Sequence, residues 1–394
     1  MKKQFIFYGA GSYAKSVIDS HIAMDIVPAC FADKDEKKHH TKIKTQNGSE
    51  YEILPLREAI TRFPDFVLIV MVEPSLFAGV CYDLIENAGI MPELIGPPLF
   101  YNQPAFRGSS NNFSELQNKL ADSAVKKIEI FQDCTDITVD ALGDNQIFKM
   151  RMDDIGGSTM GILEEKQCEA DEMRMQHRIL SMFSRDSIIF DVGANVGLYS
   201  LCYKTWFPEM TVYAFEPLPL TYSFLKENLA LNKMDGVVAN NFGFFDEEKR
   251  VEFHFYRYTS GASSIQNIRK LGESAFEKVE CSVTTLDSYV DKKNAHVDFI
   301  KCDVEGSELY VYKGGIQTLK RDKPVVFSEI VHSAAFGYSH NDVVSLFKDL
   351  GYVCHVIEND RLKAIETITE DERATNFIFI HSSKLEMFES IICD

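Results

Sequence analysis

The chain has 394 residues, of which 45% are hydrophobic and 25% are charged, a balance typical of globular proteins with room for two or three domains. Its net charge of −18 argues against a nucleic-acid backbone as a partner, because phosphate binding needs a basic face. The apolar stretches are too short for a membrane span or a secretory signal, and the nine cysteines lack metal-binding spacing, so we expect a cytoplasmic protein with reduced thiols.

The first hundred residues alternate between strand-like and helix-like segments. The strand-like segments are 4–8, 26–31 and 66–72, and the helix-like segments are 14–21 and 56–62. Alternation of this kind is typical of a parallel sheet with helices on its faces. We therefore expect a small Rossmann-like α/β domain over residues 1–105.

A glycine-rich turn follows the first of these strands. Gly9 and Gly11, with Ala14 three residues later, precede a helix, and Asp33 lies 19 residues beyond Ala14. Such a turn can hold a pyrophosphate and such an acid a ribose, so these four residues predict a second nucleotide site. The segment resembles the nucleotide-sugar-binding domains of bacterial sugar acyltransferases, which implies a nucleotide-linked ligand. Two alternatives are a redox role with NAD and a structural or oligomerising domain.

Polar sequence rich in proline and glycine between residues 96 and 112 indicates a domain boundary. We place a connecting or substrate-binding segment at 106–185 and a last domain at 186–394. The connecting segment contains strand-like stretches at 137–139 and 146–152 and an acidic helix from about 164 to 183.

From residue 186 onward, strands and helices alternate regularly. The predicted strands are 188–191, 211–215, 237–241, 297–301, 324–328, 352–357 and 375–380. The predicted helices include 198–206, 220–232 and 342–350. This order predicts an α/β fold with a doubly wound sheet that closes in an antiparallel hairpin.

The most informative stretch is DVGANVG, residues 191–197, between a buried strand and a helix. Its glycine spacing is not that of a phosphate-binding loop and it carries no basic residue, which favours a nucleoside ligand without phosphates. Glu216 ends the next strand, where a carboxylate can accept hydrogen bonds from both ribose hydroxyls. S-adenosylmethionine fits such a site.

Four blocks of sequence resemble the signature of the FkbM-type methyltransferases. They are DVGANVG at 191–197, FEP at 215–217, TLD at 285–287 and FIKCDVEGSEL at 299–309. The resemblance covers residues 185–382 and implies a class I methyltransferase fold with seven strands, the last antiparallel. It also implies O-methylation with S-adenosylmethionine as the donor. The donor would be held by residues of the first two blocks and of the segment after the third strand: Asp191, Gly193, Asn195, Gly197, Glu216, Asn241 and Phe242.

Lys301, Asp303 and Glu305 alternate at the end of a buried strand, so we expect all three to share one face beside the donor. They would contact the acceptor together with His332, whose unperturbed pKa of about 6.5 suits a general base. A purely structural alternative is a Lys–carboxylate ion pair that fixes the strand end. A divalent cation is a further alternative, with Asp303, Glu305 and Glu329 as ligands.

Small residues at 261–264 predict either a loop over the site or an ordinary hairpin loop. The resemblance to FkbM-type methyltransferases implies an S-adenosylmethionine-dependent O-methyltransferase that acts on a hydroxyl of a sugar or glycan precursor, which can be nucleotide-linked. Homo-oligomerisation is compatible with the sequence. The rival functions are an NAD-dependent nucleotide-sugar oxidoreductase and a non-catalytic nucleotide-binding module.

Overall fold

The computed structural model describes most of the chain. The described residues are 4–15, 18, 27–45, 48–72, 80–81, 83–84, 88, 90, 95–96, 123–131, 134–152, 162, 170–256, 260–268, 276–369 and 374–393. The chain divides into two compact units: unit 1 holds residues 1–118 and 271–276, and unit 2 holds residues 119–270 and 277–394. The predicted boundary at residues 105–106 lies outside the described residues.

Unit 1 is built on a six-stranded sheet. Its strands are β1 (Gln4–Tyr8), β2 (Pro28–Ala32), β3 (Lys42–Lys44), β4 (Glu50–Leu54), β5 (Phe66–Val70) and β6 (Ile95–Gly96), and its described helix of full length is α1 (Leu56–Arg62). The strands lie in the order β3-β4-β2-β1-β5-β6, and every pairing except β3–β4 is parallel. The predicted parallel sheet is confirmed. The predicted helix at 14–21 lies largely outside the described residues.

Unit 2 begins with a three-stranded antiparallel sheet. It contains β7 (Val125–Ile130), β8 (Thr135–Asp140) and β9 (Ile147–Arg151), and helix α2 (Ala170–Leu180) follows. Residues 163–169, where the predicted acidic helix begins, lie outside the described residues.

The main sheet of unit 2 has eight strands. They are β10 (Ile188–Val192), β11 (Thr211–Phe215), β12 (Val237–Asn240), β16 (Phe299–Cys302), β17 (Val325–Glu329), β18 (Tyr352–Glu358), β19 (Arg361–Ile365) and β20 (Asn376–His381). Their order is β12-β11-β10-β16-β17-β20-β18-β19. The five strands up to β17 are parallel, and β20 is antiparallel to both of its neighbours. The predicted doubly wound fold with an antiparallel end is confirmed, and β19 is an additional edge strand.

Helices cover both faces of this sheet. They are α3 (Leu198–Trp206), α4 (Pro219–Leu231), α5 (Leu286–Lys293), α6 (Glu308–Lys313), α7 (Ile316–Asp322) and α8 (His340–Asp349). Ile189 packs in the core that contains residues of α3 and α4, whereas its neighbour Phe190 packs in the core on the opposite face, with residues of α5 to α8. This alternation along a strand buried on both faces explains the near-continuous apolar sequence of β10.

A small sheet completes unit 2. Strands β13 (Gly243–Phe244), β14 (Lys249–Phe255) and β15 (Glu277–Thr284) lie in the order β13-β15-β14. A short 3-10 helix, Ser260–Ala262, follows β14 and lies close to the carboxyl end of the main sheet. No helix among the residues described is long and apolar enough to cross a membrane.

Candidate active site

The loop after β10 has a backbone that only particular residues can adopt. Gly193 has a φ of +79°, and a Cβ atom there would lie 1.8 Å from the backbone oxygen of Asp303. Asn195 also has a positive φ, and Gly197, with a φ of +98°, precedes the first turn of α3. Gly193 is therefore required both by its conformation and by the close approach of the loop that follows β16.

Glu216, the predicted ribose acceptor, lies against this loop. One carboxylate oxygen accepts a hydrogen bond from the backbone N–H of Asn195 at 3.0 Å, and the other accepts one from the N–H of Leu218 at 2.9 Å. Burial raises the pKa of Glu216 to about 7, although the two N–H groups partly offset this effect. Each oxygen retains a lone pair for a ligand hydroxyl, so the carboxylate can serve as the predicted ribose acceptor.

Asp191 is completely buried at the end of β10. Its Oδ2 accepts a hydrogen bond from the Ser200 hydroxyl at 2.6 Å, and its Oδ1 lies 3.9 Å from the Lys301 ammonium. Within the described part of the chain, Oδ1 has no hydrogen-bond partner. Burial raises the pKa of Asp191, with Lys301 opposing it. Ser200 was not predicted, although its place one turn into α3 directs it back to the acid.

Asn241 and Phe242, predicted to contact an adenine, lie beside the same strand ends. The Asn241 amide donates hydrogen bonds to the backbone oxygens of Glu216 at 2.9 Å and Pro217 at 3.1 Å. The Phe242 ring packs on an aromatic cluster that includes Tyr289, with ring centroids 5.5 Å apart. In this structure, Asn241 therefore holds the loop that carries Glu216, and Phe242 forms the edge of the core.

A charged cluster lies one strand further along the sheet edge. Lys301 pairs with Asp191 across β10 and β16, and its ammonium lies 3.1 Å from the Asp303 carboxylate and 4.8 Å from the centre of the Tyr199 ring. Glu329, at the end of β17, hydrogen-bonds to Asp303. Burial and the nearby charge of Asp303 raise the pKa of Glu329 to about 9, so Glu329 is protonated at neutral pH. The protonated carboxyl group donates a hydrogen bond to the Asp303 carboxylate.

The prediction that Lys301, Asp303 and Glu305 share one strand face is wrong for Glu305. Strand β16 ends at Cys302, and Glu305 has a φ of +51° in the turn that follows. Its carboxylate lies 3.7 Å from Nε2 of His332, which also has a positive φ. Glu305 and His332 therefore form a second polar pair beside the Lys301–Asp303 pair.

The segment at 260–264 contacts both halves of the site. Ser264 is buried and donates a hydrogen bond to the Glu305 backbone oxygen at 2.7 Å, and Ser260 Oγ lies 3.4 Å from Oδ1 of Asn195. These contacts favour the predicted loop over the site rather than an ordinary hairpin loop.

Two residues of the signature blocks have structural contacts. Asp287 accepts hydrogen bonds from the N–H groups of Gln317 and Thr318 and so caps α7. Glu308 is buried, and its carboxyl group contacts the Gly306 N–H at 2.9 Å and the Tyr338 hydroxyl at 3.0 Å. These blocks therefore also hold the helices behind the site.

A cation site was the further alternative at this edge. Across the described ranges, no group of three or more His, Cys, Asp or Glu side chains is arranged to hold a metal ion. The cation alternative with Asp303, Glu305 and Glu329 thus finds no preformed cluster there.

The four predicted residues of the second nucleotide site lie together in unit 1. Gly9, with a φ of +100°, begins the loop after β1, Gly11 is exposed, and Ala14 is buried. Asp33, directly after β2, accepts a hydrogen bond from the N–H of Ala10 at 2.7 Å. The acid is thus in contact with the glycine loop, as in unit 2.

One family of known proteins matches a segment that lies within unit 2 apart from residues 271–276. The model of the methyltransferase FkbM domain matches residues 191–354. "Methyltransferase 1" of Beauveria bassiana is 32% identical over 149 residues, which cover 34% of this chain and 59% of that protein. "31-O-demethyl-FK506 methyltransferase FkbM" of Streptomyces tacrolimicus is 26% identical over 203 residues, covering 45% of this chain and 76% of that protein.

Among solved structures, the methyltransferase FkbM from Methylobacillus flagellatus is 14% identical, with a TM-score of 0.37, and the alignment covers 96% of this chain and 90% of that one. The chain spans 59% of the length of the Beauveria protein and likewise 59% of "Methyltransferase sdnD" from Sordaria araneosa. The segment that matches the methyltransferase FkbM domain, residues 191–354, contains the glycine loop, Glu216 and the Lys301–Asp303 pair.

Proposed function

We propose that this protein is an S-adenosylmethionine-dependent O-methyltransferase that acts on a hydroxyl of a sugar or glycan precursor. One observation carries the proposal: Glu216 lies on the glycine loop, and Asp303 lies at the same sheet edge, where Lys301 holds it. The first residue suits a nucleoside, and the second suits an acceptor that must lose a proton.

The charge of the site supports a cationic donor. Asp191 and Asp303 lie beside the buried Lys301, and the carboxyl groups of Glu216 and Glu305 lie at the same edge, whereas Glu329 is protonated and adds no charge at neutral pH. A sulfonium cation is favoured in such surroundings and would lose this attraction once it becomes a neutral thioether. We infer that Glu216 holds the ribose, and that the backbone of residues 193–197 holds the amino-acid end of the donor.

When bound, S-adenosylmethionine supplies an electrophilic methyl group: the acceptor oxygen bonds to the methyl carbon as the carbon–sulfur bond breaks, and sulfur keeps the electron pair. Asp303 takes the proton of the acceptor hydroxyl. Its side chain is about one-third exposed, so it can meet an acceptor, while Lys301 fixes its position. Alignment of the reacting groups supplies about 7–11 kcal/mol in well-oriented reactions.

The acceptor class is supported by the polar edge of the site. The Glu305–His332 pair follows the strand end that carries Asp303 and offers hydrogen-bonding groups, as a polyhydroxylated acceptor requires. The name of the Streptomyces relative also describes transfer to an oxygen. We place this reaction in the cytoplasm, where buried free thiols such as those of Cys202 and Cys302 stay reduced.

Native mass spectrometry of the full chain as purified tests the donor assignment, because a tightly held S-adenosylhomocysteine would appear as an added mass. Calorimetric titration with S-adenosylhomocysteine and with NADH then separates the rivals. We expect S-adenosylhomocysteine to bind. NADH binding without S-adenosylhomocysteine binding would favour the oxidoreductase, and donor binding without transfer to any acceptor would favour the non-catalytic module.

A further inference from the structure

We propose that unit 1 binds a nucleoside diphosphate in a cradle formed by residues 9–11, Asp33 and Lys38. In each unit, the strand that precedes the glycine loop lies between two parallel neighbours. In unit 1, β1 lies between β2 and β5, and in unit 2, β10 lies between β11 and β16, with every pairing parallel.

The glycine that follows the central strand makes equivalent contacts in both units. The Gly9 N–H donates to the oxygen of Ala32, the last residue of β2, at 2.7 Å. The Gly193 N–H donates to the oxygen of Phe215, the last residue of β11, at 3.0 Å. A Cβ at Gly9 would lie 2.8 Å from the backbone oxygen of Met71, just as one at Gly193 would meet Asp303.

The acid that follows the second strand is also held equivalently. Asp33 accepts hydrogen bonds from the N–H of Ala10 at 2.7 Å and of Asp35, two residues beyond the acid, at 2.9 Å. Glu216 accepts from a loop N–H and from the N–H two residues beyond it in the same manner. Unit 1 therefore holds Asp33 in the same way as unit 2 holds Glu216, the residue that we assign to the ribose.

Gly11 gives an independent reason to expect a ligand. Its φ is not in the left-handed region, and no heavy atom of the described residues would lie within 4 Å of a Cβ atom there. The described part of unit 1 thus gives no steric reason for glycine at this exposed position. A glycine there does leave the backbone open to the close approach of a phosphate group.

The acid in unit 1 has a lysine beside it that can contact a phosphate. The Lys38 ammonium lies 2.9 Å from Asp33 Oδ2, and His39 Nε2 lies 2.8 Å from the Asp33 backbone oxygen. Burial tends to raise the pKa of Asp33, but the N–H groups of Asp35 and Ala10 and the Lys38 ammonium outweigh it and lower that pKa. Lys15 is exposed in the first turn after the loop, and Asp33 and Asp35 offset the charges of the two lysines. The Lys38 ammonium beside Asp33 can pair with an anionic diphosphate.

Calorimetric titration of the full chain with ADP, UDP and NAD⁺ tests this proposal. We expect at least one of these diphosphates to bind. Lys38→Ala should weaken that binding by about tenfold or more, since a hydrogen bond to a charged group contributes about that much. Gly11→Ala should also weaken it, because the added methyl group would occupy space that the phosphate approaches. Gly11→Ala should leave the melting temperature unchanged because its Cβ would meet none of the described residues.

Lys42→Ala is the matched control for Lys38→Ala, because Lys42 is an exposed lysine on β3 that also pairs with an acid, Glu50, at 3.2 Å. It should leave nucleotide binding unchanged. Binding of S-adenosylhomocysteine should be the same in all three variants, so the outcome is independent of the function proposed for unit 2. The proposal is overturned if none of the three diphosphates binds, or if Gly11→Ala and Lys38→Ala bind them as tightly as the wild type.

Discussion

The pH dependence of donor binding follows from Glu216. Its pKa is raised to about 7 by burial, so rising pH through neutrality converts the carboxyl group to the carboxylate. Only the carboxylate can accept from both ribose hydroxyls while it also holds the N–H groups of Asn195 and Leu218. With a pKa near 7, the ionised fraction is about one-tenth at pH 6 and about nine-tenths at pH 8.

We therefore expect the affinity for S-adenosylhomocysteine to rise by about tenfold from pH 6 to pH 8 and then to level off. Glu216→Gln replaces an oxygen acceptor by an amide that faces a backbone N–H, so we expect affinity at pH 8 to fall by about tenfold or more. The variant should also lose the pH dependence. Isothermal titration calorimetry at several pH values measures both effects. An unchanged affinity in Glu216→Gln, or the same slope with pH in variant and wild type, would refute the ribose role.

Three further predictions concern transfer, backbone approach and stability. Asp303→Asn should abolish methyl transfer while donor binding, measured by calorimetry, stays within about threefold of wild type; residual transfer at wild-type rate would place the base elsewhere. Gly193→Ala should lower the free energy of unfolding by about 2 kcal/mol or more in denaturant titrations, because its Cβ would lie 1.8 Å from the Asp303 oxygen. Gly337→Ala is its control, since Gly337 has the same φ of +79° with open space around it, and an equal loss in both would discount the close approach. Burial raises the pKa of Glu308 in the folded chain to about 8, whereas in the unfolded chain the carboxyl group loses its proton near the usual 4.5. The free energy of unfolding should therefore fall as pH rises from about 4.5 to 8. Glu308→Gln should make this fall less steep, and an unaltered slope in the variant would contradict the assignment.

The main sheet was predictable because its strands are buried on both faces. Continuous apolar runs such as β10 stand out in the sequence, and their spacing with helices indicates a parallel sheet. Strand β19 escaped prediction since only Leu362 in it is buried, which leaves no alternation to read. The two-residue strand β13 is too short to leave any periodic signal.

The positions of candidate site residues were predictable where those residues lie at strand ends. Glu216 and Lys301 are of this kind, because strand ends of a parallel sheet meet at one edge. Glu305 was misplaced since its positive φ belongs to a tight turn, in which a Cβ at Gly306 would come within 2.6 Å of the Phe336 ring. Such a turn depends on tertiary contacts that local sequence does not report.

The central claim is methyl transfer to an oxygen of a sugar. Incubation of the full chain with S-adenosylmethionine that carries a tritium-labelled methyl group, together with a panel of free and nucleotide-linked sugars, measures it most directly. We predict label in an ether product of at least one sugar with the wild type and none with Asp303→Asn. Absence of labelled product from the wild type across the panel, in a preparation that binds S-adenosylhomocysteine, would contradict the proposed function.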